Sequence, residues 1–172
     1  MDAKTITLPK TILTPYYYLI LSVSFLIPFL ISGPQLLTGS VINAFLFLSV
    51  YFFDKKKNLP ILILPSIGAV GNGLLFGTFT PFLLYFLPFI WVGNYILLWV
   101  FEYTHKRYSP VVSITISSFL KAAFLFAVAS VYVGYRIVPT IFLQAMGLFQ
   151  FLTALLGGAL AFLIYKYVSK KT

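Results

Sequence analysis

The sequence predicts an all-α integral membrane protein, a single bundle of six transmembrane helices with both termini in the cytoplasm. Of the 172 residues, 60% are hydrophobic and only 9% are charged, and the mean hydropathy is +1.00. Soluble domains carry about 25% charged residues. The few basic residues also gather in short clusters between apolar stretches. We therefore expect one membrane domain over residues 1–172, because no linker is long enough to separate two.

Six stretches of the chain are long and apolar enough to be membrane spans, which require about 20 mainly apolar residues. Segments 33–35, 54–57 and 105–107, with turns near Thr78 and Arg136, separate these stretches. The predicted spans are residues 15–32, 36–53, 59–77, 81–102, 109–132 and 138–165.

The basic residues predict the orientation of the bundle. Ten of the twelve lie in the two terminal segments and in the loops 54–57 and 105–107, which all fall on one side. Arg136 lies on the opposite side, and Lys121 lies within the fifth span. By the positive-inside rule, both termini lie in the cytoplasm and the protein spans the cell membrane. The net charge of +9 then reflects topology and contact with lipid, and we predict no nucleic-acid partner.

The sequence offers little for catalysis or metal binding. It contains no cysteine, which excludes iron–sulfur clusters and thiolate zinc sites. The single histidine, His105, lies beside Lys106 and Arg107 at a membrane boundary, away from most polar residues of the spans. We therefore predict no catalytic residue, no metal site and no cofactor, and hence no enzyme.

Polar side chains from five predicted spans lie at similar depths in the membrane, at 1.5 Å of rise per residue. Groups of this kind cost several kcal/mol when they face hydrocarbon, so we expect them to turn into the bundle. There they either line a pocket for a small-molecule substrate or hydrogen-bond between helices; one pocket better explains why five helices contribute. The predicted substrate-binding residues are Lys121, Asn43, Asn72, Asn94, Gln144 and Gln150.

Lys121 is the most informative residue of this set. A charged side chain near the bilayer centre costs at least about 2.5–3.5 kcal/mol, and such residues are usually functional. The only acids are Asp2, Asp54 and Glu102, all at or near the predicted cytoplasmic surface. Three alternatives remain for Lys121: it binds an anionic or carbonyl-rich ligand, it is neutral through burial, or its charge points at backbone carbonyls.

Prolines and small residues shape the predicted helices. Pro28, Pro65 and Pro88 interrupt three spans, where they either free backbone groups for a binding site or only shape the bundle. Small residues recur at four-residue spacing, which permits close helix packing inside the bundle or docking of a partner membrane subunit. They are Ala69, Gly73 and Gly77 in the third span and Ala154 and Gly158 in the sixth, with Gly147 and Gly157 nearby.

Several segments, in order, resemble the substrate-binding S components of energy-coupling-factor (ECF) transporters, a group of small prokaryotic membrane proteins. They span about residues 33–160, most of the chain. They are QLLTGSVIN at 35–43, LPS at 64–66, PF at 81–82, LPFIWVGN at 87–94, SFLK at 118–121 and QFLTALLGG at 150–158.

This resemblance implies a six-helix bundle that captures a vitamin-like or other small metabolite from outside the cell. It also implies two kinds of partner, a transmembrane coupling subunit and ATPase subunits that supply the energy. S components commonly meet the coupling subunit through small residues of the first helix, where this chain has only Ser22 and Ser24. The alternative function is a structural or assembly subunit of a larger membrane complex, without a ligand of its own.

Overall fold

A computed structural model describes residues 10–31, 34–76 and 80–171, and this part of the chain is helical, with no strand. The all-α class is therefore confirmed. The helices are α1 (Lys10–Leu30), α2 (Gln35–Phe52), α3 (Lys55–Phe76), α4 (Thr80–Thr104), α5 (Pro110–Gly134), α6 (Ile141–Met146) and α7 (Leu148–Lys171).

Within the described residues, four helical segments are long and apolar enough to cross a membrane. They are Gln35–Phe52, Pro81–Thr104, Pro110–Gly134 and Ile141–Lys170, and they match the second, fourth, fifth and sixth predicted spans. Thr14–Leu30 is a shorter apolar helix at the position of the first predicted span. The count of six spans and the cytoplasmic termini stay predictions.

The sixth predicted span differs from the prediction at its beginning. Its helix begins at Ile141 rather than at residue 138, and it is interrupted at Gly147, whose φ of −98° and ψ of −93° are not helical. A Cβ at this glycine would lie 2.8 Å from both the Leu143 carbonyl oxygen and the Phe126 ring. The short helix α6 and the long helix α7 therefore meet at a tightly packed break.

Two apolar cores occupy opposite ends of the bundle. The proximal core lies at the end of the bundle where α1 begins and α7 ends. It contains Leu46, Phe47, Leu48, Tyr51, Ile61, Leu62, Leu97, Leu98, Phe101, Ile114, Ala154 and Ala161. The distal core lies towards the 135–140 loop and contains Phe86, Leu125, Ala129, Val138, Phe142 and Met146. Burial of these side chains stabilises the bundle at both ends and leaves the polar residues of the helix centres between them.

The small residues of α7 are used for packing inside the bundle. A Cβ at Gly157 would lie 2.6 Å from the Ser40 carbonyl oxygen and 2.7 Å from Asn43 Cβ, so α2 and α7 are in backbone contact there. Gly158 lies against the side chain of Ile114 on α5, so a Cβ there would press on that side chain. In the first helix Ser24 is fully buried, so its hydroxyl is not on an outer surface. Gly77, also predicted as a packing residue, lies outside the described residues.

Candidate ligand-binding cavity

A cavity of about 680 Å³ lies among the helices, within the range of about 300–1,000 Å³ typical of small-molecule sites. Each of the seven helices contributes to its wall, from Pro28 on α1 to Gln150 on α7. Gln35 and Ile141 are exposed lining residues, and both lie at the distal end of the bundle. Among the described residues, the cavity therefore reaches the surface at that end.

Five of the six side chains predicted to bind substrate do line this cavity. They are Lys121, Asn43, Asn72, Asn94 and Gln150. The structure does not bring Gln144 to it: this side chain is exposed on α6, which lines the cavity through neighbouring positions such as Ala145 and Met146. Depth along a span does not define which way a residue faces around the helix, and the estimate for Gln144 rested on depth alone.

Lys121 lies on α5 with only 2% of its surface exposed. Its Nζ donates a hydrogen bond of 2.7 Å to Asn43 Oδ1 on α2. The Asn43 Nδ2 in turn donates to the Gly39 carbonyl oxygen at 2.8 Å and to Thr153 Oγ1 at 3.3 Å. Both ends of the Asn43 amide are therefore engaged within the protein, and this residue positions the lysine.

Asn72 and Asn94 combine the two roles that the sequence left open. Asn72 Nδ2 donates to the Phe29 carbonyl oxygen at 2.7 Å, and Asn94 Nδ2 donates to the Leu62 carbonyl oxygen at 3.1 Å. Each amide thus joins two helices. A backbone carbonyl only accepts, so the amide atom facing it must be nitrogen, and the Oδ1 is the other atom. Neither Oδ1 accepts a hydrogen bond from the described part of the chain.

The charge of the cavity wall is one-sided. Among the described lining residues Lys121 is the only charged one, and none is an acid. The acids that the structure describes lie towards the proximal end of the bundle. Asp54 lies in the connection between α2 and α3, and Glu102 lies in the last turn of α4. One of the three alternatives for Lys121 was that its charge points at backbone carbonyls. The structure does not show this arrangement, because Lys121 Nζ donates to the side chain of Asn43.

Several lining residues were missed by the sequence argument. Gln35 donates from Nε2 to the Ala145 carbonyl oxygen at 3.0 Å, near the break after α6. The Ser66 hydroxyl donates to the Ile63 carbonyl oxygen at 2.8 Å and accepts from Trp91 Nε1 at 2.7 Å. The sequence predicted Gln35 to lie in the connection between the first two spans, where a polar residue is ordinary and does not indicate a binding site. A serine within a span does not by itself indicate a polar site, because its hydroxyl can hydrogen-bond to the backbone of its own helix, as that of Ser66 does here.

Fold and site together define a class: an all-helical protein, suited by its apolar helices to a membrane, with a polar cavity open at one end. Comparisons of the chain with models of protein families, with curated proteins and with solved structures gave no match. Any function is therefore argued from the residues of the cavity.

Proposed function

We propose that this chain is the substrate-binding membrane subunit, or S component, of an ATP-driven importer of the energy-coupling-factor type. Its substrate is a vitamin-like or other small metabolite. One observation carries the proposal: a cavity of about 680 Å³ places a buried lysine and several amides between two apolar cores. Buried polar groups in such a pocket orient a ligand, while the apolar wall supplies contact area.

The proposed orientation places the mouth of the cavity outside the cell. Six spans cross the plasma membrane with both termini in the cytoplasm, as the ten basic residues of the proximal side favour. The 135–140 loop and the mouth residue Gln35 then face outwards. Substrate enters from outside through this mouth.

The energy for import comes from partners. The sequence carries no phosphate-binding glycine loop and no acid near the middle of a predicted span for proton coupling. A transmembrane coupling subunit and ATPase subunits, which the resemblance to S components implies, supply ATP hydrolysis. Of the two small residues of the first helix, Ser24 is buried and Ser22 is exposed, so this helix offers a single small residue to a coupling subunit rather than a stripe.

The second candidate is a structural subunit of a larger membrane complex. Three hydrogen bonds favour it, because Gln35, Asn72 and Asn94 each donate to the backbone of another helix. Interhelical bonds of this kind explain buried amides without a ligand. They do not explain why Lys121 lines an open volume with no acid beside it.

Reconstitution separates the two candidates. The chain is purified alone and together with a coupling subunit and ATPases encoded in the same genome, and a panel of radiolabelled vitamin-like metabolites is tested. We expect the chain alone to bind one compound, and only the complete complex to import it when ATP is supplied. Lys121→Met is expected to lose binding, whereas Gln144→Leu, a change outside the cavity, retains it. Binding of no compound would support the structural candidate, whereas equal binding by wild type and Lys121→Met would remove the proposed role of Lys121.

A further inference from the structure

The Lys121 amine lies in the wall of the cavity and, in its protonated form, presents hydrogen-bond donors with a positive charge. An ammonium group has three N–H donors, and in the described part of the chain Lys121 uses one of them, towards Asn43. Two remain for a ligand. A buried ammonium held by one neutral amide is poorly compensated, so an anionic oxygen is the partner that it lacks.

Asn94 presents an acceptor to the same cavity as Lys121. Its Nδ2 is committed to the Leu62 carbonyl oxygen, so its Oδ1 is the atom left to the cavity. A Cβ at Gly93 would lie 3.2 Å from Leu125 Cγ, which brings that part of α4 level with a residue one turn beyond Lys121. The backbone of Asn94 therefore lies nearer the mouth of the cavity than that of Lys121.

Gln150 completes the pattern with an adjustable group. It lines the cavity, and among the described residues its side-chain amide forms no hydrogen bond, although its backbone carbonyl accepts from Thr153 Oγ1 at 3.2 Å. An uncommitted amide both donates and accepts. It is therefore able to support either end of a bound molecule without setting its charge.

The lack of acids limits the charge of the ligand. No acid is found among the described lining residues, so a ligand ammonium would have no counter-charge and would be repelled by Lys121. One lysine also offsets only one negative charge. Zwitterionic amino acids, amines and dianions are all disfavoured on these grounds.

We propose that the cavity binds a small monocarboxylate that also carries a neutral N–H or O–H donor. The carboxylate accepts from Lys121, and the donor bonds to Asn94 Oδ1. This ligand class rests on the proposed function only in taking the cavity as the substrate site. It holds whichever partner supplies the energy.

A matched set of probes tests the ligand class by calorimetry on the purified full chain. Indole-3-acetate carries a carboxylate and a ring N–H on a rigid skeleton; its methyl ester lacks the charge, 1-methylindole-3-acetate lacks the donor, and tryptamine reverses the charge. We expect binding of the acid to exceed that of the ester and of tryptamine at least tenfold, with the N-methyl acid between them. The same comparison with 3-acetamidobenzoate and its methyl ester repeats the test on a second skeleton.

Two variants test which residue causes the preference for acid over ester and which causes the preference for N–H over N-methyl. Lys121→Met is expected to abolish the preference for acid over ester, whereas Asn94→Leu abolishes only the preference for N–H over N-methyl. Gln144→Leu leaves both unchanged. If either cavity variant fails to fold, the wild-type acid-to-ester ratio still decides. Equal binding of acid and ester, a preference for tryptamine, or binding of neither acid overturns the ligand class.

The importer and the ligand class fail in different ways. A cavity that binds a cationic or neutral metabolite and delivers it with ATP refutes the monocarboxylate and leaves the importer standing. Acid-selective binding without ATP-dependent uptake in the complete complex refutes the importer and leaves the ligand class standing.

Discussion

Lys121 Nζ lies 2.7 Å from Asn43 Oδ1, and this hydrogen bond joins the centres of α5 and α2. The Asn43 amide is in turn held by Gly39 and by Thr153 on α7. Three helices are thus connected through one asparagine. The lysine is held in place by a neutral amide, and no acid is found among the described residues that line its cavity.

The energy of this contact is measurable by a double-mutant cycle. Removing one partner leaves a buried polar group unpaired, which costs about 1–3 kcal/mol, and more for a charged group. We expect Asn43→Leu and Lys121→Met each to lower the free energy of unfolding in detergent. The double variant is expected to lose less than the sum, because neither partner is then left unpaired. Strictly additive losses would show that the two side chains do not interact.

Gly157 is expected to tolerate no side chain. A Cβ there would lie 2.6 Å from the Ser40 carbonyl oxygen and 2.7 Å from the Ala44 nitrogen, and backbone atoms cannot move aside cheaply. Gly157→Ala must separate α2 from α7, at a cost of about 1–3 kcal/mol, which a thermal unfolding scan detects. Gly134→Ala is the matched control, since no atom lies within 4 Å of a Cβ at that position. An unchanged melting temperature in Gly157→Ala would contradict the close approach.

The field of Lys121 should be detectable at the cavity wall. The chain has no native cysteine, so Thr38→Cys, at a half-buried lining residue, places a single thiol there. An anionic methanethiosulfonate reagent is expected to react several-fold faster than a cationic one, because a low-dielectric cavity focuses the charge of the lysine. Adding Lys121→Met should bring the two rates together. Persistence of the difference would point to another source of charge.

The orientation is testable with two further single cysteines. Arg136→Cys lies in an exposed loop at the distal end and Lys106→Cys in an exposed turn at the proximal end. In intact cells an impermeant maleimide is expected to label only Arg136→Cys, and both after permeabilisation. The reverse pattern would place the termini outside and the mouth of the cavity in the cytoplasm.

Two glutamines on neighbouring helices provide a test of the site itself. Gln150 lines the cavity, whereas Gln144 is exposed. We expect Gln150→Leu to weaken binding of indole-3-acetate by several-fold, since a typical hydrogen bond contributes about 0.5–1.5 kcal/mol. Gln144→Leu should bind as wild type does. Calorimetry on the two purified variants measures the difference, and equal effects would exclude Gln150 from the site.

Much of this architecture follows from the order of residues along the chain. The apolar stretches predicted the helical class, and position within them predicted the depth of Lys121, Asn94 and Gln150, which do reach one cavity. Depth is readable because it depends on distance along a helix, at a constant rise per residue. The charge of the site was readable for a similar reason, since the acids of the sequence, Asp2, Asp54 and Glu102, all lie at or near the predicted cytoplasmic ends of the spans.

Only the tertiary structure decided which atoms of these residues are left for a ligand. The break at Gly147 and the rotation of α6 leave Gln144 outside, while packing of α2 against α7 commits Asn43 to Lys121 and Thr153. The direction in which a side chain points and the hydrogen-bond partners that it meets depend on how the helices pack against one another. The sequence of a single segment does not contain that information. The sequence by itself therefore determined the polar layer and its charge, and the packing of the helices determined the site.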